Sequence, residues 1–170
     1  VNVLVNRCGH RGNLVCIESC GNAEHLTCVY HNWLYDLKGN LTSVAFEKGI
    51  RKQGGMPDDF DKANHGMPQL RTETYLGLVF ATFSDEVAPL LEYIGPEMQG
   101  NMERVIGRPM KMIASYGQFM PNNWKLYMEN VRDSYHASLL HMFQTAFRIN
   151  RLTMDGGVKL GDDGWHHISY

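Results

Sequence analysis

The chain has 170 residues and a mass of 19.4 kDa, enough for one domain or two small ones with a sizeable core. Hydrophobic residues make up 44% and charged residues 20%, a globular composition that excludes intrinsic disorder. A net charge of −2 and an isoelectric point near 6.5 argue against a nucleic-acid groove or a polybasic membrane patch, and no apolar run reaches the roughly 18 residues of a membrane span.

In chain order, the first half reads as short strands. Val1–Asn6, Leu26–Tyr30, Leu41–Phe46 and Tyr75–Phe83 are β-branched and aromatic runs separated by turn residues. Asp36-Leu37-Lys38-Gly39-Asn40 predicts a hairpin turn, with Gly or Asn available for positive φ. Residues 49–69, rich in Gly, Asp, Pro and Lys, predict a surface loop. Ser84–Pro89 turns polar and ends in Pro, which places a domain boundary between residues 1–86 and 87–170. Leu90–Arg104 is expected to be helical and Met110–Met120 to form a strand. Pro121-Asn122-Asn123 offers a helix start before Trp124. There is no initiator Met, the chain opens in strand-like Val1-Asn2-Val3-Leu4-Val5, and it stops at His167-Ile168-Ser169-Tyr170. It is therefore expected to be a piece of a longer polypeptide.

The segment after Pro121 has helical periodicity. Trp124, Met128, Val131, Tyr135, Leu139, Met142 and Ala146 step by three or four, an apolar stripe. At about 100° per residue, Glu129, Asn130, Asp133, His136 and His141 fall on the opposite face. From Ser134 to Phe147, fourteen residues contain no Asp, Glu, Lys or Arg, unlike a water-facing surface. The helix is thus expected to be buried on both sides, its polar groups turned into an interior cavity. Buried polar groups need partners, and a metal ion would satisfy two histidines at once. His136 and His141 are separated by about 140° and about 7.5 Å on a regular helix. Joint ligation therefore predicts a break or bulge between them.

Four Cys and eight His are many for so short a chain. With no secretory signal, reduced thiols and metal binding are favoured over disulfides. Cys8-Gly9-His10 and Cys28-Val29-Tyr30-His31, with 17 residues between His10 and Cys28, each end a strand-like run and enter a turn. Two loops could thus converge on one centre, with Gly9 and Gly12 permitting close backbone approach. A structural zinc site and a Rieske [2Fe–2S] centre, two Cys on one iron and two His on the other, both fit this composition. The order Cys-His…Cys-His favours the second, since zinc fingers place both Cys first. Cys16 and Cys20 read as small buried hydrophobes, His25, His65, His166 and His167 as ordinary surface or loop residues, and Trp33 and Trp124 as packing.

The fuller strings Arg7-Cys8-Gly9-His10-Arg11-Gly12 and Cys28-Val29-Tyr30-His31-Asn32-Trp33 resemble the Rieske signature, with Asn32 where many relatives have Gly. The stretch from Asn123 to His141 resembles the catalytic-iron segment of Rieske ring-hydroxylating oxygenases. Gly55-Met56-Pro57-Asp58-Asp59-Phe60-Asp61 and Tyr75–Phe83 look like the branch acting on aromatic acids such as terephthalate, salicylate or anthranilate. The order of the two motifs is that of the large (alpha) subunit.

This resemblance implies an α+β chain: a mostly antiparallel β Rieske domain, then the start of a helix-grip-like catalytic domain. It implies that Cys8, His10, Cys28 and His31 hold a [2Fe–2S] cluster. His136 and His141 would ligate mononuclear Fe(II) in a 2-His-1-carboxylate site, and Asp133 would be the carboxylate bridging the two metal centres across a subunit boundary. Glu129 and Asn130 would support the site. The third ligand is an Asp expected downstream, outside this chain. Asp155, Asp162 and Asp163 follow His141 too closely to be assigned, so the segment alone is expected to be inactive. Electrons would come from NAD(P)H through a reductase, with or without a ferredoxin, and O₂ would be inserted into an aromatic substrate. The assembly implied is α₃ or α₃β₃ with a small β subunit, cytoplasmic, without nucleic acid or membrane. A monooxygenase or demethylase of the same family, and a Rieske electron-transfer module without oxygenase activity, are the alternative readings.

Overall fold

Short apolar runs divided by Gly, Asn and Asp turns produce short strands, and the chain follows that rule in its first half. The computed structural model describes residues 1–170 except 52, 150–154 and 162–163; Asp162 and Asp163 therefore lie outside the described residues. The architecture is α+β, and the backbone groups into two units, Val1–Val87 and Ala88–Tyr170.

The first unit holds two antiparallel three-stranded sheets. In one, β1 (Val3–Leu4) pairs with β5 (Gln69–Tyr75), which pairs with β6 (Leu78–Thr82). In the other, β2 (Leu26–Thr27), β3 (Leu34–Tyr35) and β4 (Leu41–Ser43) follow one another. The strands are shorter than the apolar runs suggest. Tyr75–Phe83 is not one strand: it begins at a hairpin turn through Leu76 (φ 51°) and Gly77 (φ 81°), two left-handed residues whose twist matches that of the flanking strands. Its partner β5 carries Arg71, Glu73 and three polar neighbours, Gln69, Thr72 and Thr74, which mask a strand in a hydrophobicity reading.

The turn between β3 and β4 is built by Asp36. Its carboxylate accepts from the N–H groups of Lys38 (2.8 Å) and Asn40 (2.9 Å) and from the Asn40 side chain (2.8 Å). Residues 49–69 form mostly irregular backbone with one 3₁₀ turn at Lys62–His65. Parts of it turn inward: Met67 joins Cys8, Val15, Cys28, Trp33, Tyr35, Leu41 and Val44 in the buried core, and Met56 and Phe60 pack on it. Cys16 and Cys20 are exposed, not buried as expected, because they lie in bent irregular backbone outside that core.

In the second unit, α1 (Leu90–Ile106) buries Leu90, Ile94 and Met98 and is interrupted at Gly95 (φ 70°, ψ 162°), just before Pro96. Pro lacks an N–H and clashes with the preceding turn, so the interruption follows from the sequence. Gln99 Nε2 donates to Leu91 O (2.7 Å) across it. Met110–Met120 is not a strand; it is irregular and exposed, with no ladder partner among the described residues. The helix expected after Pro121 is three pieces: α2 (Trp124–Arg132), α3 (Ser134–Leu140) and α4 (Met142–Ala146). Asn123 caps α2 by accepting from Lys125 N (3.0 Å). The expected two-sided burial is absent. Trp124, Tyr135 and Met142 of the apolar stripe are exposed, because β8 (His167–Ser169), paired with β7 (Val158–Leu160), lies against α2 but leaves the stripe uncovered.

Candidate metal-binding sites

Cys8 and Cys28 open two loops of matching backbone design. Cys8 N donates to Asn13 O (2.8 Å) and Cys8 O accepts from Gly12 N (2.9 Å); Cys28 N donates to Trp33 O (2.9 Å) and Cys28 O accepts from Asn32 N (2.9 Å). Each loop therefore closes five residues after its Cys and has a left-handed residue at the fourth position, Gly12 (φ 70°) or Asn32 (φ 54°). Asn is among the few non-Gly residues that adopt this region readily, so Asn32 fulfils the geometric role of Gly12. Gly9 also approaches the chain closely: a Cβ there would lie 2.4 Å from His65 O.

The loops bring together all four predicted donors in two pairs. Both thiols are buried, Cys8 at 4% and Cys28 at 1% exposure. His10 is exposed and His31 half-buried, with His10 Nδ1 and His31 Nδ1 3.1 Å apart and rings meeting edge to face. Desolvation first, then the charges of His31 and Arg11, lower the His10 pKa. This favours the neutral imidazole that a metal requires. Burial pushes the Cys28 thiol up, but the N–H groups of Tyr30 and His31, the Cys8 side chain and Asn13 outweigh it and leave the pKa below its ordinary value. Burial, followed by the bond to Cys8, raises the Tyr35 phenol. Gly9 N donates to Tyr35 Oη (3.0 Å), leaving the phenolic proton for Cys8 Sγ (3.1 Å). Among the described residues, no three His, Cys, Asp or Glu side chains converge on one point. Two thiols and two imidazoles in separate pairs are the donor set of a centre with two metal positions.

Sequence reasoning missed Tyr35, Asn13 and the part played by Trp33. Asn13 and Trp33 sit at the same offset from their Cys, the one signal available in advance. Trp33, 3% exposed, stacks on His10 at 4.8 Å and 13° and meets His65 edge-on at 5.7 Å. His65, expected to be an ordinary loop residue, also stacks on Phe60 at 4.7 Å. His166, likewise expected to be idle, bonds Tyr93 O through Nε2 (3.0 Å).

In the second unit the helix breaks at Asp133 and at His141 (φ −88°, ψ 67°), the latter where the five-residue spacing predicts a distortion. Asp133 caps α3, its Oδ1 accepting from Tyr135 N (2.8 Å) and His136 N (3.3 Å). His136 Nδ1 contacts the Asp133 carbonyl. A carbonyl only accepts, so Nδ1 carries the proton and Nε2 a lone pair. That Nε2 is buried and has no hydrogen-bond partner among the described residues. The His141 ring lies 5.0 Å from that of His136, nearly perpendicular. An orphaned imidazole lone pair beside a second imidazole is a donor set suited to a metal ion. Glu129 and Asn130 are exposed.

Known proteins resemble this chain over nearly its whole length. Residues 1–53 match the Rieske [2Fe-2S] domain. Over 165 residues the chain is 52% identical to the terephthalate 1,2-dioxygenase terminal oxygenase component subunit alpha 2 of Comamonas sp, covering 97% of this chain and 40% of that protein. It is also 52% identical to the anthranilate 1,2-dioxygenase large subunit of Burkholderia cepacia, covering 96% of this chain and 39% of that one. Among solved structures, naphthalene 1,2-dioxygenase with indole bound superposes with a TM-score of 0.71 at 28% identity, over 84% of this chain and 32% of that chain. The chain thus spans about 40% of the length of the curated relatives it matches. Through its Rieske domain match and near-complete alignment, the chain is similar along its length to the large (alpha) subunits of Rieske ring-hydroxylating oxygenases.

Proposed function

We propose that the complete protein is the oxygenase component of an aromatic-ring-hydroxylating dioxygenase, acting on an aromatic carboxylate with O₂. The observation that carries this reading is the pairing of donors: two buried, hydrogen-bonded thiols and two imidazole nitrogens 3.1 Å apart. Cys8 and Cys28 would hold one iron of a [2Fe–2S] cluster and His10 and His31 the other. His136 and His141 would hold mononuclear Fe(II), with a third ligand beyond this chain. When bound, the cluster supplies one-electron transfer and the mononuclear iron supplies activation of O₂.

The residues of this chain prepare those groups. Tyr35, Asn13 and the N–H groups of Tyr30 and His31 surround the sulfurs with donors, stabilising negative charge there. The Asp133 carbonyl sets the His136 tautomer, so that Nε2 presents a lone pair. The Asp133 carboxylate is half exposed, and its Oδ2 retains acceptor capacity for a histidine of a neighbouring subunit. This supports an α₃ or α₃β₃ assembly, with a small β subunit in the latter, in which electrons cross between subunits. The electron source would be NAD(P)H through a reductase, directly or by way of a ferredoxin. The aromatic-acid substrate class rests on the relatives that act on terephthalate and anthranilate. A cytoplasmic setting fits four free cysteines; among the described residues no helix is long and apolar enough to cross a membrane.

The test uses full-length protein purified without oxygen. It should contain three irons and two acid-labile sulfides per subunit, and consume O₂ with terephthalate or anthranilate when a reductase is supplied. Labelled O₂ should place two oxygen atoms in the product. His136→Ala should remove one iron and leave the cluster signal intact, whereas Asp133→Asn should keep both metals and slow product formation. Colourless protein with bound zinc would overturn the reading, and a single incorporated oxygen would reassign it to a monooxygenase.

A further inference from the structure

The matching loops contain a reciprocal feature. The residue five places after each Cys reaches across to a donor of the opposite loop. Asn13, in the Cys8 loop, points its Nδ2 at Cys28 Sγ (3.8 Å) while donating its other proton to Leu14 O (2.8 Å). Trp33, in the Cys28 loop, lays its indole flat on the His10 ring at 4.8 Å and 13°. Each of these residues also closes its own loop through its carbonyl, to Cys8 N and Cys28 N respectively. Backbone closure and cross-loop contact thus reside in the same two residues, one on the sulfur side and one on the imidazole side.

We infer that Asn13 and Trp33 are paired positioning residues that lock the two loops together and tune the reduction potential of the group they hold. The inference rests on the proposed cluster. An N–H directed at a ligating sulfur stabilises the more negative, reduced state, so it raises the potential. A flat aromatic wall against an imidazole restricts rotation of the ring about its ligating bond, so it narrows the range of ligand geometries. Supports run behind both. Asn6 Oδ1 accepts from Val15 N (3.0 Å) and Cys16 N (2.8 Å), fixing the segment that follows Asn13. Phe60 and His65 meet the indole edge-on, fixing Trp33.

The experiment is a redox titration of the full-length oxygenase followed by circular dichroism and electron paramagnetic resonance, with iron and sulfide counted in every sample. Asn13→Leu, which removes the donor and keeps the bulk, should retain the cluster and shift its midpoint to a more negative value. Asn13→Gln, which keeps an amide, should lie between that variant and wild type. Trp33→Leu should broaden the resonance of the reduced cluster, and Trp33→Phe, which restores a flat ring, should sharpen it again. Because Trp33 is in the core, the Phe variant keeps the test decisive if the Leu variant fails to fold. Variants with full cluster content and wild-type potentials and line widths would overturn this inference alone. Wild-type protein without labile sulfide would overturn the cluster reading beneath it.

Discussion

At the scale of single residues, backbone conformation explains a choice that chemistry alone would not. Asn32 stands at a left-handed position, φ 54°, opposite Gly12 in the twin loop. A side chain without a polar tip incurs roughly 1–2 kcal/mol in that region. Asn32→Ala should therefore lower stability by about 1 kcal/mol, and Asn32→Gly should leave it nearly unchanged, as read by thermal unfolding. Tyr35 joins the two roles of packing and electrostatics: it is fully buried, accepts from Gly9 N and donates to Cys8 Sγ. Tyr35→Phe should cost about 1 kcal/mol, since it removes the hydrogen bonds to Gly9 N and Cys8 Sγ, and should move the cluster midpoint negative. Denaturant unfolding and a redox titration check the two effects separately. The Cys-His pairs were legible in the sequence because spacing and order survive folding. Tyr35 and Asn13 were not, because their bonds span 27 and 15 residues.

At the scale of elements, capping and turn chemistry decide where strands and helices stop. Asp36 nucleates the β3–β4 turn with its carboxylate, and its bonds to Asn40, first the side chain, hold its pKa below the usual carboxylate range. A depressed carboxylate contributes stability that is present above its unfolded pKa and lost as pH falls through the folded value. Asp36→Ala should thus lower the melting temperature at neutral pH. The gap to wild type should close below the ordinary carboxylate range; melting curves at neutral and acid pH test this. Asp133 and His141 play the converse part in the second unit by ending helices. The apolar stripe from Trp124 to Ala146 has a period that predicts helix, and helix forms. The stripe could not reveal the interruption at Asp133, where the Asp carboxylate accepts from the N–H groups of Tyr135 and His136 and caps a new helix. The spacing of His136 and His141 did reveal the one at His141, because two imidazoles five residues apart come together only if the helix is distorted.

At the scale of the whole molecule, burial is uneven between the units. The core around Cys8, Cys28 and Tyr35 is continuous, whereas in the second unit the buried hydrophobic residues are Leu90, Ile94 and Met98 among the described residues. Residues 108–120 are exposed throughout and carry no ladder bonds, the pattern of a segment that opens at little cost. Trypsin should cut the 170-residue chain first after Lys111, since Arg108 precedes Pro109, and leave the first unit intact. Mass spectrometry of an early digest checks this, and first cleavage at Arg71 or Lys62 would contradict it.

The sequence by itself determined the chemistry: which residues are thiols and imidazoles, their order along the chain, and the helical segment that carries Asp133, His136 and His141. These are local properties, set by spacing and side-chain type. Only the tertiary structure decided how the donors pair, which nitrogen of His136 is left bare, and which residues stand behind the ligands. Those depend on contacts between loops distant in sequence, and on where a cap or a left-handed residue turns the backbone. For the same reason the exposed stripe of α2–α4 could be read for its period but not for its burial: a period reports the shape of a helix, and burial depends on what the rest of the chain lays against it.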